Sequence, residues 1–244
     1  MGEKPRLYSG RLYSVGDLVN LGYSRTAVGR LVQAGALISP LRGVYRPVGG
    51  EDTPLFDKLA AMSKHCPSAV FFLFTAAAVH DLATREPSFE HIGLPPTQRA
   101  APTFSNGELP VDVVRWSRSE DWEIGVEIHN HLGVDIRITS PERTLFDLWR
   151  YSFRNHTLKG THERVTDENL FDGFAAYFDK IGRDTAALGE LAEALETRTT
   201  TLESYANFLV TFERGFNADR FTEQEEHTAC VDYPLRRQEA GEIA

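Results

Sequence analysis

The chain has 244 residues, a formal net charge of −9 and only two cysteines, Cys66 and Cys230. That length can bury a sizeable core as one large domain or two small ones, and two distant thiols exclude a disulfide framework or a multi-cysteine zinc site, which suits a reducing cytosol. The start, MGEKPRLYSG, holds no apolar signal segment, and the longest apolar run, AVFFLFTAAAV, is about half of what a bilayer span requires, so the expectation is a cytoplasmic protein with no membrane partner.

Charge is unevenly spread. Residues 1–50 carry Lys4, Arg6, Arg11, Arg25, Arg30, Arg42 and Arg46 against Glu3 and Asp17, a net +5 that leaves −14 on the other 194 residues. Such asymmetry points to a nucleic-acid-facing module joined to an acidic body. Within it, Ser14 and Asp17 read as a capping box for a short helix through Leu18, Val19 and Leu21 that Gly22 ends. A second helix follows at once, capped by Ser24 and ended by Gly35. At 100° per residue Ala27, Val28, Leu31, Val32 and Ala34 fall on one side, and Arg25, Thr26, Gly29, Arg30 and Gln33 on the other.

Two short helices joined by the LGYS turn predict a helix-turn-helix, and ALISPLRGVYRPV, two β-prone runs around a Pro/Gly turn, predicts the hairpin of a winged helix. On that reading Arg25, Thr26, Arg30 and Gln33 enter a major groove, the arginines suited to guanine and Gln33 to adenine, while Ser24, Arg42, Tyr45 and Arg46 hold phosphates. Gly29 lets the helix backbone approach DNA closely. The plain alternative is a small helical subdomain with a solvated polar face.

In the acidic body, EDTPLFDKLAAMSKHCP reads as a helix with Asp52 or Thr53 as cap and Leu55, Phe56, Leu59 and Met62 as its apolar stripe. SAVFFLFTAAAVHDLA reads as a more buried helix with His80 at the core edge. Four β-prone runs follow: HIGLP, VDVVRW, IGVEIHNH and VDIRITS. The last two form a hairpin about Leu132-Gly133 with Val126, Ile128, Val134, Ile136 and Ile138 inward. SPERTLFDLWRY is a helix capped by Ser140, with Leu145, Phe146, Leu148, Trp149 and Phe153 buried, and helical stretches at about 167–181, 184–196 and 201–216 follow, the last capped by Thr200 with Glu203. An antiparallel sheet followed by helices is α+β.

The segments GYSRTAVGRLVQAGALISPLRGVYRPV, FTAAAVHDLATREP and GVEIHNHLGVDIRITSPERTLFDLWRY resemble the AbiEi family, antitoxins and transcriptional regulators of bacterial phage-defence systems. The family's Pro-x-(Arg/Lys)-Thr-x-x-Asp helix is matched by Pro141, Arg143, Thr144 and Asp147, and similarity covers about residues 12–180. The resemblance implies a winged helix over 1–50, an α+β antitoxin-type domain over 51–228, and a disordered tail over 229–244. Only about a dozen residues precede Ser14, so the first helix usual in the family is expected to be one turn or absent. The polar segment 154–167 looks longer than the family's. Arg143 and Asp147 sit one helical turn apart and can pair, as a tie between helix and sheet or as part of a binding site. The resemblance further implies an antitoxin that represses its own operon by binding promoter repeats, with a homodimer possible on those repeats. It would oppose a nucleotidyltransferase-type toxin without forming a stable complex with it.

Enzyme motifs are lacking. The letters HNH at 129–131 are adjacent on a strand, which sends Asn130 to the opposite face from its neighbours. Glu127, His129 and His131 share a face where His-x-His could bind zinc, but exposed polar alternation explains the pattern equally. Restriction-type chemistry usually needs an acid two residues before a lysine, and those positions hold Gly2, Phe56, Met62, Thr157 and Phe178. No phosphate loop, nucleophile elbow or dinucleotide fingerprint occurs, so no catalytic residue, cofactor or metal is assigned. Two further functions stay open: a regulator without a toxin whose body senses a ligand or pairs subunits, and a protein-binding module.

Overall fold

The computed structural model describes residues 6–49, 53–83, 86–98, 104, 110–118, 122–153, 164–182, 184–196 and 198–219. The 229–244 segment and most of the 154–167 segment therefore lie outside the described residues. The chain is α+β and forms two compact units, through Ile181 and from Gly182 onward. No helix among the described residues is long and apolar enough to cross a membrane.

The first unit begins without a helix over residues 6–12. A two-residue strand β1 (Tyr13–Ser14) leads into α1 (Val15–Asn20), then α2 (Arg25–Gln33), β2 (Leu37–Leu41) and β3 (Val44–Pro47). The three strands form an antiparallel sheet in the order β1-β3-β2. Helix α3 (Pro54–His65) has Thr53 at its N-cap, without a side-chain cap bond, and buries Leu59 and Met62. Its core is shared with what precedes it: Leu12, Leu41 and Val44 belong to one buried cluster with Leu59, Met62, Ile92, Ile136 and Ile138. The Leu12 N–H also donates to the Leu132 carbonyl at 3.3 Å.

The run expected to be one buried helix divides. Val70–Phe71 form strand β4, and Leu73, at a φ of 47°, turns the chain into α4 (Leu73–Val79). A short apolar run suits a central strand as well as a helix, and periodicity alone does not separate them. Strands β5 (Glu90–Leu94), β6 (Val111–Arg115), β7 (Val126–His131) and β8 (Val134–Thr139) join β4 in a five-stranded sheet, order β6-β5-β4-β8-β7. This sheet is mixed rather than antiparallel: β4 runs parallel to β8 and β5 to β6. The connection from Pro95 to Pro110 is of crossover length, too long for a hairpin.

Leu132 and Gly133 make the two-residue turn between β7 and β8, both at positive φ (51° and 73°). The inward face of β7 differs from expectation. Glu127, His129 and His131 pair with Ile138, Ile136 and Val134, so they share the α3 side of the sheet. Val126 and Ile128 lie on the other face, and Ile128 is 62% exposed. Helix α5 (Pro141–Phe153) buries Leu145, Phe146, Leu148 and Trp149 and packs against α4 and α6 (Asp167–Lys180), where Gly173 allows close approach to Leu145. Thr166 caps α6.

In the second unit α7 (Thr185–Leu195), capped by Asp184, packs on α8 (Thr199–Asp219). The Thr200–Glu203 cap does not form. The Leu202 N–H donates to the Arg198 carbonyl, so the helix starts two residues earlier and Thr200 is inside its first turn.

Candidate nucleic-acid interface

The two short helices are shaped by their caps. Asp17 N–H donates to Ser14 Oγ (3.1 Å) and Ser14 N–H to Asp17 Oδ2 (2.8 Å), closing the capping box at the start of α1. Lys64 of α3 holds the same carboxylate at 3.0 Å. Partial burial works against ionisation of Asp17, but the Ser14 amide and the Lys64 ammonium together hold it below the usual carboxylate range. Gly22, at a φ of 83°, turns the chain, and Ala27 N–H donating to Ser24 Oγ at 3.2 Å starts α2.

Val28 is buried against Tyr13, Leu18 and Leu37, with Leu31 and Val32 partly buried beside it. The opposite side of α2 therefore faces outward, and Arg25, Thr26, Gly29, Arg30 and Gln33 are all exposed, as is Ser24. A methyl placed on Gly29 would meet nothing within 4 Å. The first turn of α2 carries Arg25 and no acid. A cation at the positive end of a helix dipole costs about 0.3–1 kcal/mol, so this arrangement does not serve the helix itself.

The hairpin separates its three candidates. Arg42 is exposed in the β2–β3 turn, where Gly43 takes a φ of 83°. Tyr45 is half-buried opposite Tyr13 and lines a recess of about 280 Å³ with Val15, Arg25 and Val28. Arg46 is not a phosphate ligand: it is 4% exposed, and its Nε pairs with Asp57 Oδ2 on α3. Neighbouring strand residues point to opposite faces, and this alternation, applied to Tyr45 and Arg46, was the signal that only one could face outward. Asp57 Oδ1 is also bonded at 2.8 Å to His131 Nε2, so one carboxylate joins β3, α3 and β7. Arg11, absent from the candidate set, is exposed with its guanidinium 5.5 Å from the Tyr13 ring centre.

The matched positions in α5 are buried instead. Pro141 opens the helix, and Ser140 Oγ accepts from the Arg143 amide at 3.2 Å. Arg143 Nε donates to Asp147 Oδ2 and its Nη1 to the Ile124 carbonyl, both at 2.8 Å, with the guanidinium 5.1 Å from the Trp116 ring centre. Thr144 meets Thr139 Oγ1 at 2.8 Å. Trp116 in turn lies on Gly93, where a methyl group would come within 2.6 Å of the indole. These contacts tie α5 to the sheet.

Two buried polar groups gave no signal in the sequence. His91 on β5 and Asp112 on β6 lie side by side, Nε2 to Oδ2 3.5 Å, both fully buried. Burial pulls the His91 imidazole down to about 4, and the Asp112 carboxylate only partly opposes this. Glu90 accepts from Thr75 Oγ1 at 3.0 Å and pairs with Lys58. His80, half-buried, makes a 2.7 Å bond with the Thr139 carbonyl, and His129 bonds Glu127 at 3.1 Å. Among the described residues no group of three or more His, Cys, Asp or Glu could hold a metal ion.

No family model matches the chain, and no curated protein matches it. One solved structure it is similar to is the RV2827C protein from Mycobacterium tuberculosis, at 17% identity and a TM-score of 0.45, covering 83% of this chain and 72% of that one. A likeness that distant carries nothing about function.

Proposed function

We propose that the protein is a DNA-binding transcriptional regulator, reading its operator with α2 of an N-terminal winged helix-turn-helix. The observation that carries this reading is the outward face of α2: Arg25, Thr26, Arg30 and Gln33 around an unobstructed Gly29, with Val28 anchoring the reverse side. These are side chains able to pair with base edges, presented on a helix that fits a major groove. Arg42 on the hairpin turn and Ser24 at the helix start contact phosphates, setting register and supplying affinity. Tyr45 lines the recess it shares with Arg25.

The role we propose is that of a cytoplasmic antitoxin of a type IV toxin-antitoxin system, repressing its own operon at promoter repeats. It opposes a nucleotidyltransferase-type toxin without a stable complex, and no catalytic step is assigned to the chain. This role rests on the AbiEi-like segments, Pro141, Arg143, Thr144 and Asp147 among them.

The test is binding of the full chain to its own upstream DNA and to scrambled DNA of equal length across a salt series, beside the Arg25→Ala/Arg30→Ala variant. The expected result is preference for the upstream fragment, a log–log salt slope of about −0.9 per phosphate contacted, and loss of preference in the variant. Equal, weak binding to both fragments would sink the proposal.

A further inference from the structure

The geometry of β7 points to a second copy of this chain as its partner, paired antiparallel along the free edge of the five-stranded sheet about a two-fold axis at Ile128. This inference stands apart from the DNA-binding reading and needs none of its residues.

Among the described residues strand β7 is the last in the order β6-β5-β4-β8-β7, and only one of its edges is bonded within the sheet. Its two-residue turn makes His131 and Val134 a hydrogen-bonded pair, and alternation along the ladder extends this to His129–Ile136 and Glu127–Ile138. The Ser140 amide donating to the Gly125 carbonyl at 2.8 Å fits the same phase. The N–H and C=O groups of Val126, Ile128 and Asn130 therefore point away from β8. Ile128 adds an exposed apolar side chain at the middle of this edge. Natural edge strands are usually blunted at such a position by a lysine, a proline or a bulge.

The strand is complementary to itself in one register. Setting Ile128 opposite Ile128 of the second copy places Val126 opposite Asn130, and all three outward pairs are of the hydrogen-bonded kind. Glu127 then falls opposite His129 of the second copy on both sides of the axis, as non-hydrogen-bonded pairs whose side chains lie closest. The Glu127 carboxylate can there accept a hydrogen bond from the imidazole that faces it, a favourable cross-strand pair. The two side chains are 44% and 37% exposed, so they are accessible to a second strand. At the other end of the sheet β6 lacks this property, because centring it on Val113 sets Asp112 opposite Val114 and Arg115 opposite Val111. Pairing through β7 would make one ten-stranded sheet of two copies.

The test uses the full chain. By sedimentation it should be dimeric at about 100 µM, and Ile128→Lys or His129→Glu should raise the dissociation constant at least about tenfold. Glu127→Lys combined with His129→Glu should restore it, since a lysine then meets a glutamate across the ladder. In a Cys230→Ser background, Ile128→Cys should cross-link to itself under mild oxidant. The expected Cα separation of about 5.5 Å is within the range of about 4.4–6.8 Å that a disulfide spans. Asn130→Cys alone should not cross-link, because it faces Val126. A monomer at about 100 µM, a dimer indifferent to both single substitutions, or equal cross-linking at 128 and 130 would overturn the proposal. Circular dichroism of each variant separates a lost interface from a lost fold.

Discussion

Arginine serves two opposite purposes in this chain. On α2 and the hairpin turn, Arg25, Arg30 and Arg42 are exposed, and no described carboxylate pairs with them. In the interior, Arg46 and Arg143 are 4% and 1% exposed, each bonded to an aspartate, Asp57 and Asp147. The difference follows from position along the strand or helix, since the residue type is the same. A guanidinium next to Tyr45 on a strand is carried inward, and one on the far side of α2 from Val28 is carried outward. A basic count over fifty residues therefore overstates what is offered to a polyanion.

Removing a buried carboxylate should separate the two classes most sharply. Asp147→Ala leaves Arg143 buried without its partner, and such a break costs about 3–5 kcal/mol. Chemical denaturation should show that loss, with the DNA affinity of the protein that remains folded unchanged. The interior also carries a pH signature. His91 takes a proton near 4 when folded and near 6.5 when unfolded, so its contribution is fully present above about pH 6.5 and declines as pH falls toward 4. The whole span amounts to about 3 kcal/mol. Unfolding midpoints measured across that window should fall on acidification, and His91→Gln should flatten the profile.

The exposed class responds in binding and hardly in stability. Arg42→Ala should weaken binding to all DNA sequences about equally and reduce the salt slope by about 1. Smallest is Gly29→Ala. It should stabilise α2 by up to about 1 kcal/mol, because alanine favours helix and nothing obstructs the methyl group. It should also weaken operator binding if the backbone approaches DNA there. A gain in stability with binding intact would remove the close approach from the mechanism.

Most signals that live within one turn of chain were legible in the sequence. Ser14 with Asp17, Ser24, and Leu132-Gly133 are each read from two to four residues, and each forms as its chemistry requires. The outward face of α2 was also legible, because a 3.6-residue period needs only one helix. One local signal failed, the Thr200–Glu203 cap, because the helix starts ahead of it; the other failures needed a partner distant in sequence. Phe71 is a strand residue because β5 and β8 flank it, and Ile128 is outward because Glu127, His129 and His131 sit over α3. Arg46 is lost to the surface because Asp57 waits on the next helix. The mixed sheet had one overlooked cue, the Pro95–Pro110 separation, which no hairpin uses.

The core shared by Leu12, Leu41 and Val44 with α3 and β8 limits how this protein could be re-engineered or recombined. A cut near residue 50 would strand Arg46 and uncover the inner faces of both hairpin strands, so the first fifty residues are a poor cassette for exchange between relatives. New specificity is better grafted side chain by side chain onto the outer face of α2, leaving the seam beneath it intact.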